Sequence, residues 1–178
     1  MEEIIACIYE GTAEKVIIEI LLEANKLIFK KEDLLNEELI KRIKPKQFQS
    51  KYLNQDYEKK IKIIRIIDKK NEKFKILAPY EEQISENIAV ITRPEIEILV
   101  IIGMGHYDRF KRQSSRGHQK PSDYCKQVLG LNKVKTEKYV RQHFSDVDYL
   151  IRCLNEYHSK IDLQSGEQDI AMLLRENN

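Results

Sequence analysis

The stretch Ile4-Ile5-Ala6-Cys7-Ile8-Tyr9-Glu10-Gly11-Thr12-Ala13-Glu14-Lys15 decides how this chain is read. Its first half is an apolar, β-branched run too short for a helix and apolar on both alternating faces, as a strand buried on both sides requires. The strand delivers Glu10 at its carboxyl end. Gly11 allows a sharp turn, Thr12 is a good N-cap, and Glu14 and Lys15 fall in the first turns of a helix extending to about Asn25. Open α/β sheets place their ligands outside the carboxyl ends of their strands, so Glu10 is a candidate functional carboxylate. The competing reading makes Glu10 a solvated turn residue and Glu14 a partner of the helix dipole.

A second run, Lys60-Ile61-Lys62-Ile63-Ile64-Arg65-Ile66-Ile67-Asp68, repeats the pattern and ends on Asp68. If the two strands are parallel neighbours joined by right-handed crossovers, Glu10 and Asp68 lie side by side, and two such groups can share a divalent cation. A third apolar strand, residues 87–92, leads into Arg93-Pro94-Glu95-Ile96-Glu97. Proline suits a first helical position with Thr92 as cap, which puts Glu95 near the same sheet edge. Glu97, two positions further along a helix, should point about 200° away from Glu95, so only one of them faces a shared ion unless the helix starts later.

Between these strands, residues 27–29 read as a short strand and residues 31–43 as a helix through Leu34, Leu35, Leu39 and Ile43, ended by Pro45. Residues 46–60 make a connecting helix or loop, and a short helix follows Pro79. From Arg109 the composition changes, with Arg109, Lys111, Arg112, Arg116, His118 and Lys120 set among Ser, Gly and Gln. This segment reads as an exposed, mobile loop, suited to nucleic-acid backbone contact or simply solvated. Tyr107, Phe110 and Tyr124 stand nearby, available for stacking on bases or for core packing. Helices over about 121–129, 135–144 and 146–160, with one short helix near the end, complete an α/β domain over 1–112 and a helical extension over 113–178.

With 178 residues the chain can build one domain with a substantial core, and 31 Lys plus Arg against 29 Asp plus Glu indicate no polyanion partner by net charge alone. Cys7, Cys125 and Cys153 are odd in number and widely spaced, which argues against a disulfide framework or a zinc site and fits a reducing, cytoplasmic setting. The four histidines lack ligand spacing. No window approaches the roughly 18 apolar residues of a membrane span, so a soluble protein without membrane association is expected.

The Glu-Gly strand end with its following helix-start Glu14, the acidic end of the second strand, and the Pro-Glu segment together resemble the Toprim superfamily, in particular small stand-alone proteins of the RloB-like and OLD-nuclease-like type. Tyr9-Glu10-Gly11-Thr12-Ala13-Glu14 matches the first motif, and Thr92-Arg93-Pro94-Glu95-Ile96-Glu97 is similar to an Asn-Pro-x-Phe-Glu-type segment. The likeness covers about residues 3 to 110. It implies a mostly parallel sheet flanked by helices. It also implies a Mg²⁺-dependent nuclease of DNA or RNA, with Mn²⁺ as substitute, in bacterial defence against phage or plasmid, with a possible partner ATPase or other defence protein and possible homo-oligomers. Glu10 and Asp68 would then be catalytic, and Glu10, Asp68, Glu95, Glu14 and Glu97 the metal ligands. The family usually carries Asp-x-Asp at the second strand; this chain reads Asp68-Lys69-Lys70, keeping the first acid and placing lysine at the second. Lys69 and Lys70 read as phosphate contacts or as a solvated turn. The alternative function is a non-catalytic Toprim scaffold that binds nucleic acid or a protein.

Overall fold

The structure is a computed structural model and describes residues 3–68, 73–117 and 119–175, without the Arg116 side chain. Lys69, Lys70 and His118 lie outside the described residues.

Among the described residues four strands form one all-parallel sheet: β1 (Ile4–Tyr9), β2 (Ile40–Lys41), β3 (Ile61–Ile67) and β4 (Ile84–Ile91), in the order β2-β1-β3-β4. The helices are α1 (Thr12–Glu23), α2 (Pro45–Tyr52), α3 (Ala78–Glu81), α4 (Ile98–Gly103), α5 (Tyr107–Gly117), α6 (Pro121–Gln127), α7 (Glu137–His143) and α8 (Val147–Lys160). This is an α/β architecture, consistent with a Toprim-like sheet.

Strand periodicity sorts the core into two layers. Ile5 and Cys7 of β1 and Ile64 and Ile66 of β3 pack against α1, α4 and the C-terminal helices. Ala6, Ile8, Ile61 and Ile63 face the other way, onto Phe48 and Tyr52 of α2. Each fully buried isoleucine contributes about 1.5–3 kcal/mol, so the two β-branched runs account for much of the sheet's stability. Arg65 shares the α2 face and is buried there, its Nε donating to Asn87 Oδ1 at 3.0 Å with the guanidinium 5.4 Å from the Phe74 ring centre.

Helix α4 is apolar on every side because the sheet covers one flank and α8 another; Ile98, Leu99, Val100, Ile101 and Ile102 are all buried. Gly103 is required by that contact. A Cβ there would lie 2.8 Å from Tyr149 Cζ and 3.0 Å from Cys153 Sγ. The C-terminal segment returns to the sheet, where Gln168 bridges the β4 edge at Val90 and Leu174 pairs with Leu27. All three cysteines are free and buried. No helix among the described residues is long and apolar enough to cross a membrane.

Several local expectations are corrected. Residues 31–43 are not a helix: two 3-10 turns (Lys31–Asp33 and Leu35–Glu37) lead into β2, with Asn36 and Glu37 at positive φ. The leucines there do not share one face, since Leu34 enters the α1-side core and Leu35 the α2-side core. Pro45 starts α2 instead of ending a helix, and Leu27 forms an isolated bridge instead of a strand. The N-cap of α1 is Gly11, not Thr12, and makes no side-chain cap bond. The basic segment is the helix α5, not a loop, because Phe110 anchors it in the core while Arg109, Lys111 and Arg112 face solvent.

Candidate functional site

The strand order creates the site. From β1 the chain crosses over α1 to β2 on one side, then returns by α2 on the opposite face to β3 on the other side. Such a reversal opens a crevice outside the carboxyl ends of β1 and β3. Glu10 follows β1 and Asp68 follows β3, and the backbone N–H of Asp68 donates to Glu10 Oε2 at 3.4 Å. The other oxygen, Glu10 Oε1, accepts from the Arg42 guanidinium, which stands just beyond β2. Parallel pairing of β2 beside β1, with Arg42 N donating to Tyr9 O at 2.8 Å, is what brings Arg42 there.

Gly11 has an extended backbone, φ −120° and ψ 170°, that any residue adopts, so it serves close approach and not a left-handed turn. A Cβ on Gly11 would meet Glu14 Oε2 at 2.5 Å. The Glu14 carboxylate thus lies over the β1 turn. Burial raises its pKa above the usual carboxylate value, a backbone hydrogen bond opposes this, and the charges of Glu97 and Glu10 raise it further while Lys135 lowers it.

After β4, Thr92 is buried and its hydroxyl donates to Ile67 O at 3.3 Å, fastening this strand end to β3. Pro94 does not start the helix; α4 begins at Ile98, with Glu97 as its N-cap residue. Glu95 and Glu97 therefore sit on a turn, and the 200° separation of a regular helix does not apply. Both carboxylates reach one cation: Lys135 Nζ lies 3.7 Å from Glu95 Oε1 and 3.8 Å from Glu97 Oε1. Glu95 Oε2 also accepts from the Ser122 N–H at 3.2 Å. Glu97 is only 4% exposed. Its pKa is raised by burial and by Glu95, and lowered by a backbone hydrogen bond and by Lys135. Cys125 lies behind the pair; burial, then the charges of Glu97 and Glu95, push its thiol up to about 12. It is no nucleophile at neutral pH.

Glu10, Glu14, Glu95, Glu97 and the backbone of Asp68 thus meet at one rim, although among the described residues no three acidic, histidine or cysteine side chains stand together as a ready metal site. The donor chemistry suits a hard cation: the acids offer oxygen only, and those at Glu14 and Glu97 are partly stripped of water. Lys135 and Arg42 are the residues that sequence reasoning missed. Arg42 follows Lys41 of the two-residue strand β2, inside the run that the sequence reads as a helix, so nothing in the local pattern set it at a strand end. Lys135 had no signal either, since it sits in a turn one residue before the Thr136 cap of α7.

The other predicted contact residues are dispersed. Arg109, Lys111 and Arg112 are exposed on α5, and Lys120 is exposed just before α6. Phe110 and Tyr124 are core residues in edge-on contact at 5.4 Å, which excludes them as stacking platforms; Tyr107 is half-buried. No protein-family model, curated protein or solved structure matches the chain.

Proposed function

We propose that the protein is a Mg²⁺-dependent phosphodiester-cleaving nuclease of the Toprim type, acting on DNA or RNA at the carboxyl edge of β1, β3 and β4. The observation that carries this reading is the acid rim itself. Glu10 and Glu14 from the β1–α1 connection and Glu95 and Glu97 from the turn after β4 stand near one another at the carboxyl edge of the sheet, and Glu14 and Glu97 have raised pKa values. Like charges in a poorly solvated site are costly unless a cation compensates them.

Glu10, Asp68 and Glu95, with Glu14 and Glu97, would hold the cation, which when bound supplies Lewis-acid polarisation of a phosphoryl oxygen. The protein's own groups have distinct tasks. Arg42 and the Asp68 N–H orient the Glu10 carboxylate towards the crevice, where it would take or return a proton. The exposed cations of α5 attract the phosphate backbone and make binding salt-dependent. A role in bacterial defence, with an ATPase or other partner, rests on the Toprim resemblance.

The test is cleavage of labelled single- and double-stranded DNA and RNA with Mg²⁺ or Mn²⁺. Glu10→Gln and Asp68→Asn should each abolish it while thermal melting stays cooperative. Cleavage that survives in both variants removes the assignment.

A second reading has one observation in its favour. Lys135 already bridges Glu95 and Glu97 from within the chain and offsets one of their two charges, as suits a scaffold that binds nucleic acid or a protein without a metal. Calorimetric titration with Mn²⁺ separates the two: uptake that depends on Glu10 and Glu97 favours the nuclease, and none favours the binding module.

A further inference from the structure

Next to the acid rim lies a cleft of about 610 Å³ that the proposed chemistry does not use. Its size is within the range of small-molecule sites. One wall is the Arg93-Pro94 step, covalently continuous with Glu95, so the cleft begins where the acid rim ends. Ile98, Phe110 and Tyr157, all 5% exposed or less, give it an apolar floor. Tyr107 forms a side wall; its hydroxyl donates to Lys160 O at 3.4 Å and Lys160 Nζ lies 4.9 Å from its ring centre, which together fix the ring.

The polar lining consists of Arg93, Lys111, Ser114, Ser115, Asp162 and Gln164. Arg93 is anchored from behind: its Nη2 donates at 2.7 Å to Glu167, whose side chain is fully buried, while the Arg93 side chain stays 38% exposed. Lys111 and Ser114 contribute from α5, one turn apart on the side that faces the cleft. Asp162 is the acid in the lining. Arg93 is matched by Glu167 and Lys111 by Asp162, and the positive field over the cleft comes from Arg109 and Arg112, exposed on the same helix as Lys111. An apolar, aromatic-walled floor beneath two cations and a hydroxyl suits a flat ring that carries a phosphate.

We infer that this cleft holds one nucleotide of a single strand, the base against the Tyr107 wall and apolar floor and its phosphate at Lys111 and Arg93. The inference deepens the nuclease reading and rests on it for the strand's route across the rim. Base seating on an aromatic wall is tolerant of sequence, so the cleft selects unpaired strand over duplex.

The experiment is calorimetric titration in EDTA with a 5′-phosphorylated thymidine dinucleotide, the uridine counterpart, and the same sugar-phosphate backbone lacking bases. The expected result is binding of a base-bearing dinucleotide at least about tenfold tighter than the abasic one. Lys111→Glu, a change at an exposed position, should weaken it about tenfold or more by reversing a phosphate contact. Ser114→Phe should do the same by filling the cleft, and Glu10→Gln should leave it unchanged. The thymidine and uridine arms show which strand is preferred. Equal binding of the abasic backbone, no binding by the wild type at millimolar concentration, or full binding by Lys111→Glu overturns the inference. Binding in EDTA together with no cleavage once Mg²⁺ or Mn²⁺ is supplied would remove the nuclease reading and keep the cleft; metal-dependent cleavage with unchanged KM in Lys111→Glu would do the reverse.

Discussion

Replacing Lys135 by Met tests how the acid rim is held together. The substitution keeps the apolar stem and removes the ammonium that lies 3.7 Å from Glu95 and 3.8 Å from Glu97. At that distance a unit pair is worth roughly 4 kcal/mol at an effective dielectric constant of about 20 and about 1 kcal/mol in water. The Lys135 side chain is 58% exposed, so solvent screening pulls the value to the lower end, to about 1 kcal/mol. With a slope of about 2 kcal/mol per molar urea, the unfolding midpoint near neutral pH should fall by about 0.5 M. The sign with pH is fixed by Glu97. The pair stabilises only while Glu97 is ionised, so the difference between wild type and Lys135→Met is full above the raised Glu97 pKa and disappears as pH falls through it. In a Glu97→Gln, Glu95→Gln background the same change should have no effect beyond about 0.3–0.5 kcal/mol. Under the nuclease reading, Lys135→Met also binds Mn²⁺ more tightly, because a tethered competitor has gone. An equal midpoint loss at about pH 3, or in the double-Gln background, would refute the electrostatic argument and assign Lys135 a packing role.

Other outcomes follow from single contacts. Glu14→Gln should raise the melting temperature near neutral pH. The raised Glu14 pKa makes the folded state hold its proton more tightly than the unfolded chain. The stability that this residue carries in acid is therefore lost as pH rises past the ordinary carboxylate value, and the variant's advantage should vanish in acid. Gly103→Ala should cost about 1–3 kcal/mol by overpacking, despite the better helix propensity of alanine, since the new methyl meets Tyr149 and Cys153; chemical denaturation measures it. Arg141→Met removes the link from α7 to Glu19 and Glu23 of α1, at 2.6 and 3.3 Å. A loss of about 1 kcal/mol that shrinks in high salt is expected. Asp169→Ala removes the cap of a C-terminal 3-10 turn over Ile170–Leu173, where Met172 N donates to Asp169 at 3.2 Å, and the 2.8 Å contact to His158. A cost of about 1–2 kcal/mol in thermal melts is expected.

The amino-acid order alone determined the sheet's two central strands, because β-branched runs such as 61–67 and 4–8 have no other way to bury both faces. It also determined that Glu10 and Asp68 stand at the ends of those strands, and that helices begin at Thr12 and Pro121 and after Asp146. Residues 31–43 were illegible because their leucines serve two opposite core layers, a division made by the chain path and not by spacing. The basic segment 109–117 lacks apolar residues at most positions, and its helix depends on Phe110 being received by Tyr124. The acid rim was legible residue by residue but not as a geometry. Whether Glu95 and Glu97 face together depends on α4 starting at Ile98, and the presence of Lys135 beside them depends on α7 docking on α1. Both are contacts between segments far apart in sequence, whose energies arise only once the sheet and its covering helices have assembled.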